Sequence, residues 1–309
     1  MERGGGRAIY ATLPCRAPVE TRPHVRSDRI AIPPPVPRRP AGVRIRPRSL
    51  RHRLFAPPER REALMLLYAF NVEIAKVQES VREPMAGMIR LQWWRDSLIS
   101  GAEGGACDNH PVARPLGELI RGCGLPLEPF DDLISARQDD LEGFSPKDLP
   151  EAERYAERSS AALTALALAV LGAETEDFRR AGRHMGIAWG LVGNLRALGH
   201  HLSMGKLTLP EDVLRTAGTS AGAIREGRAS TESLTAAAQA MGQCARHHLA
   251  EARRVRPGRH GLAALLPAIL ADGYLQVLEK ARWNPFDSRV SRPNPRPVRL
   301  IIAQAMGRF

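Results

Sequence analysis

Apolar positions in this chain recur at three- and four-residue steps from Pro57 almost to the C-terminus, the period of helices with one buried face. Residues 59–83 keep Leu64, Leu67, Tyr68 and Ala75 on one side, and Pro84 is placed to end or bend that helix. Residues 85–99 predict the next helix, and 100–111 a Gly-rich loop. Shorter helices are predicted over 112–121 and 127–142, and longer ones over 148–171 and 175–201. Pro210 is placed to open another as its first helical residue. Residues 217–229 read as a loop of small residues. The last major helices are 231–254 and 262–282, the latter interrupted by Pro267. No stretch alternates with period two for long enough to make a strand, and no repeat of fixed period is present. The predicted class is all-α.

A chain of 309 residues with 43% hydrophobic positions can bury a sizeable core in one large domain or two modest ones. The net charge of +12 is unevenly placed. Residues 1–53 hold 13 Arg against Glu2, Glu20 and Asp28, so the remainder is near +2. The basic balance therefore belongs to that segment and argues against a nucleic-acid-binding domain, which would also need aromatic platforms. With nine Pro, including Pro33, Pro34 and Pro35, residues 1–53 predict a disordered Arg/Pro-rich N-terminal extension. An organelle leader and a stretch upstream of the true start are both open readings of it. Four Lys stand against 41 Arg, which reads as codon bias rather than selection for phosphate forks.

Cys15, Cys107, Cys123 and Cys244 form no close pair and show no zinc spacing, so a reducing compartment is expected. The longest apolar run, 161–173, falls short of the roughly 20 residues of a membrane span. No signal-peptide pattern opens the chain. The expected location is cytoplasmic, with peripheral contact at the inner membrane left open.

Several segments carry a resemblance. LYAFNVEIAKVQES (67–80) and LVGNLRALGHHLSMGKLTLP (191–210) are similar to the two signature helices of the squalene/phytoene synthase family. IRLQWWRDSL (89–98) and LTLPEDVL (207–214) resemble the segments that follow them. The resemblance covers about residues 54–286 and implies an isoprenoid synthase-type helical bundle around a central cavity. It implies a helical domain over 54–290 and a short C-terminal tail over 291–309. In that family two prenyl diphosphates condense head to head, and Mg²⁺ held by aspartates neutralises the departing diphosphate. A DDxxD spacing puts its first and fifth residues on one helix face.

Laid on this chain, the first motif falls on Ala75, Lys76, Val77, Gln78 and Glu79, of which Glu79 alone is acidic. The second falls on Ala197, Leu198, Gly199, His200 and His201, with no carboxylate. Gly205 and Pro210 keep the following frame, whereas Lys206 and Thr208 stand where Arg and Tyr are usual. The match is to an aspartate-poor branch, also signalled by LFAPPERREAL (54–64), whose mitochondrial member is a respiratory complex I assembly factor.

The implied function is a non-catalytic factor for complex I assembly or lipid binding, with complex I subunits and an isoprenoid or anionic lipid as partners. The alternative is an active Mg²⁺-dependent phytoene/squalene synthase-type prenyl transferase in carotenoid or hopanoid biosynthesis. No cofactor is expected on the first reading, and Mg²⁺ on the second. No catalytic residue is nominated. The candidate binding residues are Tyr68, Asn71, Lys76, Glu79, Arg90, Asn194, Arg196, His201 and Lys206. Lys76, Arg90, Arg196 and Lys206 would make the mouth anion-attracting.

The helices bearing Ala75/Glu79 and Ala197/His201 are expected to face each other across the cavity. No metal site is expected: His200 and His201 lie about 100° apart around a helix, and His247 and His248 carry no stronger signal. Asp131, Asp132, Asp139 and Asp140 read as a solvated helix face, and Trp93 and Trp94 as one packed and one surface or groove ring.

Overall fold

The computed structural model describes residues 55–105, 110–255 and 258–309, so the predicted extension over 1–53 lies outside the described residues. Its first helix, α1 (Pro58–Ala75), buries Leu64, Leu67, Phe70 and Ile74. The predicted helix over 59–83 is not continuous. It stops at Lys76, whose N–H reaches back to the Val72 carbonyl at 3.1 Å, and a one-turn α2 (Val77–Ser80) follows. Pro84 opens α3 (Pro84–Glu103) instead of ending its predecessor, since a missing N–H is harmless in a first turn.

Next come α4 (Ala113–Cys123) and α5 (Glu128–Leu141). The helix α6 (Leu149–Ala156), capped by Asp148 accepting from the Glu151 N–H at 2.8 Å, passes through a π turn (Glu157–Ala161) into α7 (Ala162–Val170). The longest helix, α8 (Glu176–Ser203), is capped by Thr175. At α9 (Glu211–Thr216) Pro210 is the cap and not the predicted first helical residue. The stretch read as a loop holds a short helix, α10 (Ala221–Arg225), because the Ser220 hydroxyl satisfies the Ala223 N–H. Then follow α11 (Thr231–Ala252), α12 (Leu262–Leu265), α13 (Pro267–Lys280), α14 (Ser288–Ser291) and α15 (Pro297–Met306). No strand occurs among the described residues, so the all-α class holds.

The helix α8 is the axis of the packing, contacting α6, the π turn, α7, α11 and α13. At Gly186 it meets the π turn so closely that a Cβ would lie 2.3 Å from the Ala161 Cα. One core runs from Ala56 to Val290; within it Phe70 meets Trp94 and Phe130 edge-on, at 5.3 and 5.5 Å between centroids. Trp94 is the packed indole and Trp93 the half-buried one, as expected of neighbours on a helix. Residues 262–280 are long and apolar enough to cross a membrane, yet 78% of that window is buried inside the fold, as in a core helix. The C-terminal stretch taken as a tail is largely helical: Leu300 and Ala303 of α15 pack with Leu262, Leu266, Ile269 and Leu270.

A second constraint is polar. Asp140, at the end of α5, is 4% exposed and not part of a solvated face. Its carboxylate accepts from the Tyr155 hydroxyl of α6 at 2.8 Å and from Arg137 Nη1 at 2.9 Å, and it contacts Lys206 Nζ. Gln78 of α2 donates to the Asp140 carbonyl at 2.9 Å. Asp131 and Asp139 of the same helix are paired with Arg95 and Arg158. Burial alone would raise the Asp140 pKa. The Arg137 and Lys206 charges outweigh that and hold it below the usual carboxylate range.

Removing the Asp140 charge leaves two cations facing a neutral partner. Asp140→Asn is therefore expected to destabilise the chain by about 3–5 kcal/mol in chemical denaturation. The double change Asp140→Leu/Lys206→Met, which leaves one unpaired cation (Arg137) instead of two, is expected to cost less than the single one. Equal or greater loss in the double variant would show that the pair is not the stabilising unit.

Candidate functional site

The two signature segments meet at the molecular surface. The break at Lys76 turns α2 toward the C-terminal end of α8, where His200 Nε2 lies 3.6 Å from Glu79 Oε1. Both side chains are more than half exposed, at 57% and 60%. Just beyond, α8 is closed by Gly205 in the left-handed conformation (φ 76°). The Lys206 N–H bonds the His201 carbonyl at 2.8 Å and the Gly205 N–H that of Leu202 at 3.0 Å. A Cβ at Gly205 would strain this closure. The turn sends the Lys206 side chain inward to Asp140 and Tyr155, its ammonium 5.3 Å from the Tyr155 ring centroid. Phe144 stacks on the Tyr155 ring, with centroids 5.1 Å apart. Between Phe144, Tyr155, Asn194, Lys206 and Thr208 lies a small recess open to solvent, with an inner volume of about 10 Å³. That is room for about one water molecule.

The sequence candidates divide into three groups. Asn194, His201 and Lys206 gather around this pocket and the Asp140 cluster. Lys76, Glu79 and Arg90 lie on the exposed rim: Lys76 Nζ is 3.4 Å from Glu73, and Arg90 donates to the Ser80 hydroxyl at 2.7 Å. Tyr68 and Asn71 are half-buried on α1, and Arg196 lies with its guanidinium 3.6 Å from the Tyr274 ring centroid of α13. Lys206 is paired with Asp140 and Arg196 is stacked on an aromatic, so these cations do not form a bare positive ring. Sequence reasoning missed Arg137, Asp140 and Tyr155, which hold Lys206 in place. The signal available was a lysine in the GKLTLP turn that required a buried counter-charge.

Four polar atoms at these positions are buried with no hydrogen-bond partner: Asn71 Oδ1, Arg196 Nε, His201 Nδ1 and Thr208 Oγ1. Each such atom costs roughly 1–3 kcal/mol when left unsatisfied. Burial also acts on titration. It pushes the His201 imidazole down to about 4, helped by the Lys206 charge, and lowers Arg196 from its ordinary value. His201 is thus a neutral ring beside the pocket at physiological pH. Between pH 6.5 and 4 the unfolded chain takes up a proton at this position that the folded chain refuses, so stability falls as pH falls through that window. His201→Gln is expected to flatten the loss between pH 7 and pH 5 by about 2 kcal/mol in denaturant titrations. An unchanged slope would mean that His201 is protonated within the fold.

The sequence model of the family described as squalene/phytoene synthase matches residues 50–296. Among individual relatives, the NADH dehydrogenase (ubiquinone) complex I assembly factor 6 of Rattus norvegicus is 29% identical over 262 residues, covering 83% of this chain and 77% of that protein. The Homo sapiens protein of the same name is 34% identical over 170 residues, 54% of this chain; the match spans half the length of that relative. A presqualene diphosphate synthase of Rhodopseudomonas palustris is 25% identical over 224 residues, covering 72% of this chain and 79% of that one. In three dimensions a squalene synthase from Alicyclobacillus acidocaldarius superposes with a TM-score of 0.70 at 22% identity, over 79% of this chain and 91% of that one. A dehydrosqualene synthase crystallised with a ligand gives 0.71 at 19%, over 84% and 92%. These structures share the isoprenoid synthase-type helical fold expected from the signature segments. Because the family match takes in most of the sequence, from before α1 to the start of α15, this chain belongs to the squalene/phytoene synthase family.

Proposed function

We propose that this chain is a non-catalytic member of its family that serves respiratory complex I assembly and retains a site for an isoprenoid or anionic lipid. The observation that carries the reading is the state of the carboxylates. An Mg²⁺ cluster needs several free carboxylate oxygens. Of the two motif stretches Glu79 alone is acidic, exposed beside His200, and Asp140 is already paired with Arg137 and Lys206. These residues do not fit a multi-metal diphosphate site, so the reading includes no cofactor. Similarity to assembly factor 6 proteins supports the assembly role and complex I subunits as partners. The orphaned buried atoms of Asn71, Arg196, His201 and Thr208 support a ligand that completes them. A cytoplasmic protein with peripheral contact at the inner membrane is consistent with both roles.

A second reading, an active Mg²⁺-dependent head-to-head prenyl transferase, is favoured by the likeness to presqualene diphosphate synthases. The two readings separate cleanly in one assay. Purified chain incubated with farnesyl or geranylgeranyl diphosphate and Mg²⁺ is expected to release diphosphate no faster than buffer. Robust turnover abolished by Glu79→Gln would overturn the non-catalytic reading. The triple change Ala75→Asp/Ala197→Asp/His201→Glu is expected to raise Mg²⁺ affinity at least tenfold by calorimetry, because it restores carboxylates on the two meeting segments. For the assembly role, capture from respiratory membranes is expected to enrich complex I subunits, and their absence would count against it.

A further inference from the structure

On the face of α6 turned away from Asp140, a second cluster joins three helices. Glu153 and Tyr155 are two positions apart, about 200° around a helix, so they address different neighbours. Tyr155 reaches α5, and Glu153 reaches α11. On α11, Cys244 and His248 are four residues apart and share one face. Cys244 Sγ lies 2.8 Å from Glu153 Oε1, and His248 Nε2 lies 3.2 Å from the same oxygen. The three ligand atoms all lie within 4.8 Å of one another. From α8, His184 places Nδ1 2.9 Å from His248 Nδ1.

We infer that Glu153, Cys244 and His248 form a binding site for a single thiophilic divalent cation, with Zn²⁺ the best chemical fit. The donor set is one thiolate, one imidazole nitrogen and one carboxylate oxygen, the three ligand types that tetrahedral zinc accepts. Zinc bond lengths of about 2.0–2.3 Å put neighbouring ligand atoms roughly 3–4 Å apart, so small side-chain shifts admit an ion. A sulfur ligand selects against Mg²⁺ and Ca²⁺.

The surroundings supply what a histidine ligand needs. With Nε2 on the metal, His248 Nδ1–H donates to His184 Nδ1, which fixes the ring and its tautomer. Cys244 and His248 are 1% and 7% exposed, whereas the Glu153 side chain is 32% exposed and marks the side from which an ion and a fourth, water ligand arrive. His247, the exposed neighbour, takes no part in the ligand set. The expectation that no metal site exists rested on sequence spacing, and Glu153 lies 91 residues from Cys244. The inference is independent of the prenyl-site reading, since it uses none of that site's residues.

The test uses the purified full chain, stripped with a chelator under reducing conditions. Zn²⁺ is titrated against a chromophoric competitor, and Co²⁺ is added separately as a spectroscopic probe. The expected result is one Zn²⁺ per chain, a near-ultraviolet thiolate-to-Co²⁺ charge-transfer band, and visible bands of tetrahedral intensity. Cys244→Ser is expected to abolish the charge-transfer band, and His248→Gln to weaken Zn²⁺ binding at least 100-fold. His184→Phe is expected to weaken it by about 10- to 100-fold through loss of the supporting hydrogen bond. His247→Gln is expected to leave it unchanged. Should the buried variants fail to fold, Glu153→Gln at the solvent side gives the same readout. A folded wild type with no charge-transfer band, or Zn²⁺ binding that survives Cys244→Ser and Glu153→Gln alike, would overturn the site in favour of a hydrogen-bonded cluster without an ion.

Discussion

The carboxylate of Asp140 is the constraint on which the signature end of this bundle depends. A charge buried to this degree is tolerated only when opposite charges and donors surround it. Here a guanidinium, an ammonium and a phenol do so, each from a different stretch of chain. The result is a joint between α5, α6 and the turn after α8, with α2 attached through Gln78. Apolar packing alone would let these elements slide by a rotamer. A carboxylate with directional partners gives them one register. The pocket beside Phe144 and Asn194 inherits its shape from that joint, since Lys206 and Tyr155 serve both.

The same joint explains the electrostatic character of the site. Lys206 shares the single Asp140 carboxylate with Arg137, so the cluster behind the pocket keeps one net positive charge. His201 stays uncharged beside it because burial and the neighbouring ammonium both oppose protonation. Charge also reaches the outer rim, where Lys76, Glu79, Arg90 and His200 meet solvent.

Most of the fold was legible in the sequence because helical periodicity and caps are local signals. The long helices, the split at Pro267 and the burial of one of the two adjacent indoles could all be read from spacing. The break at Lys76 could not, since the apolar pattern continues through it and only the turn toward α8 requires it. The helix over Ala221–Arg225 was masked by small residues, although Ser220 supplied an ordinary cap. At the site, the signature segments placed Asn194, His201 and Lys206 together. Asp140 was misread because pairs of aspartates eight residues apart look like a wet face, and the lysine that pairs with Asp140 lies 66 residues away. Pair interactions across such separations leave no periodic trace.

The π turn at Glu157–Ala161 has a consequence for how this sequence can change over time. A π turn holds one more residue than the regular helix it interrupts, and so offsets the faces on either side by about 100°. Upstream, α6 presents Tyr155 to α5 and Glu153 to α11. Downstream, α7 turns its apolar residues toward α1, α5 and α8. Losing a single residue there would regularise the helix and rotate one half against the other, separating both polar clusters from their partners at once. Point substitutions within this stretch can accumulate gradually, whereas a change in its length disrupts the arrangement in one step.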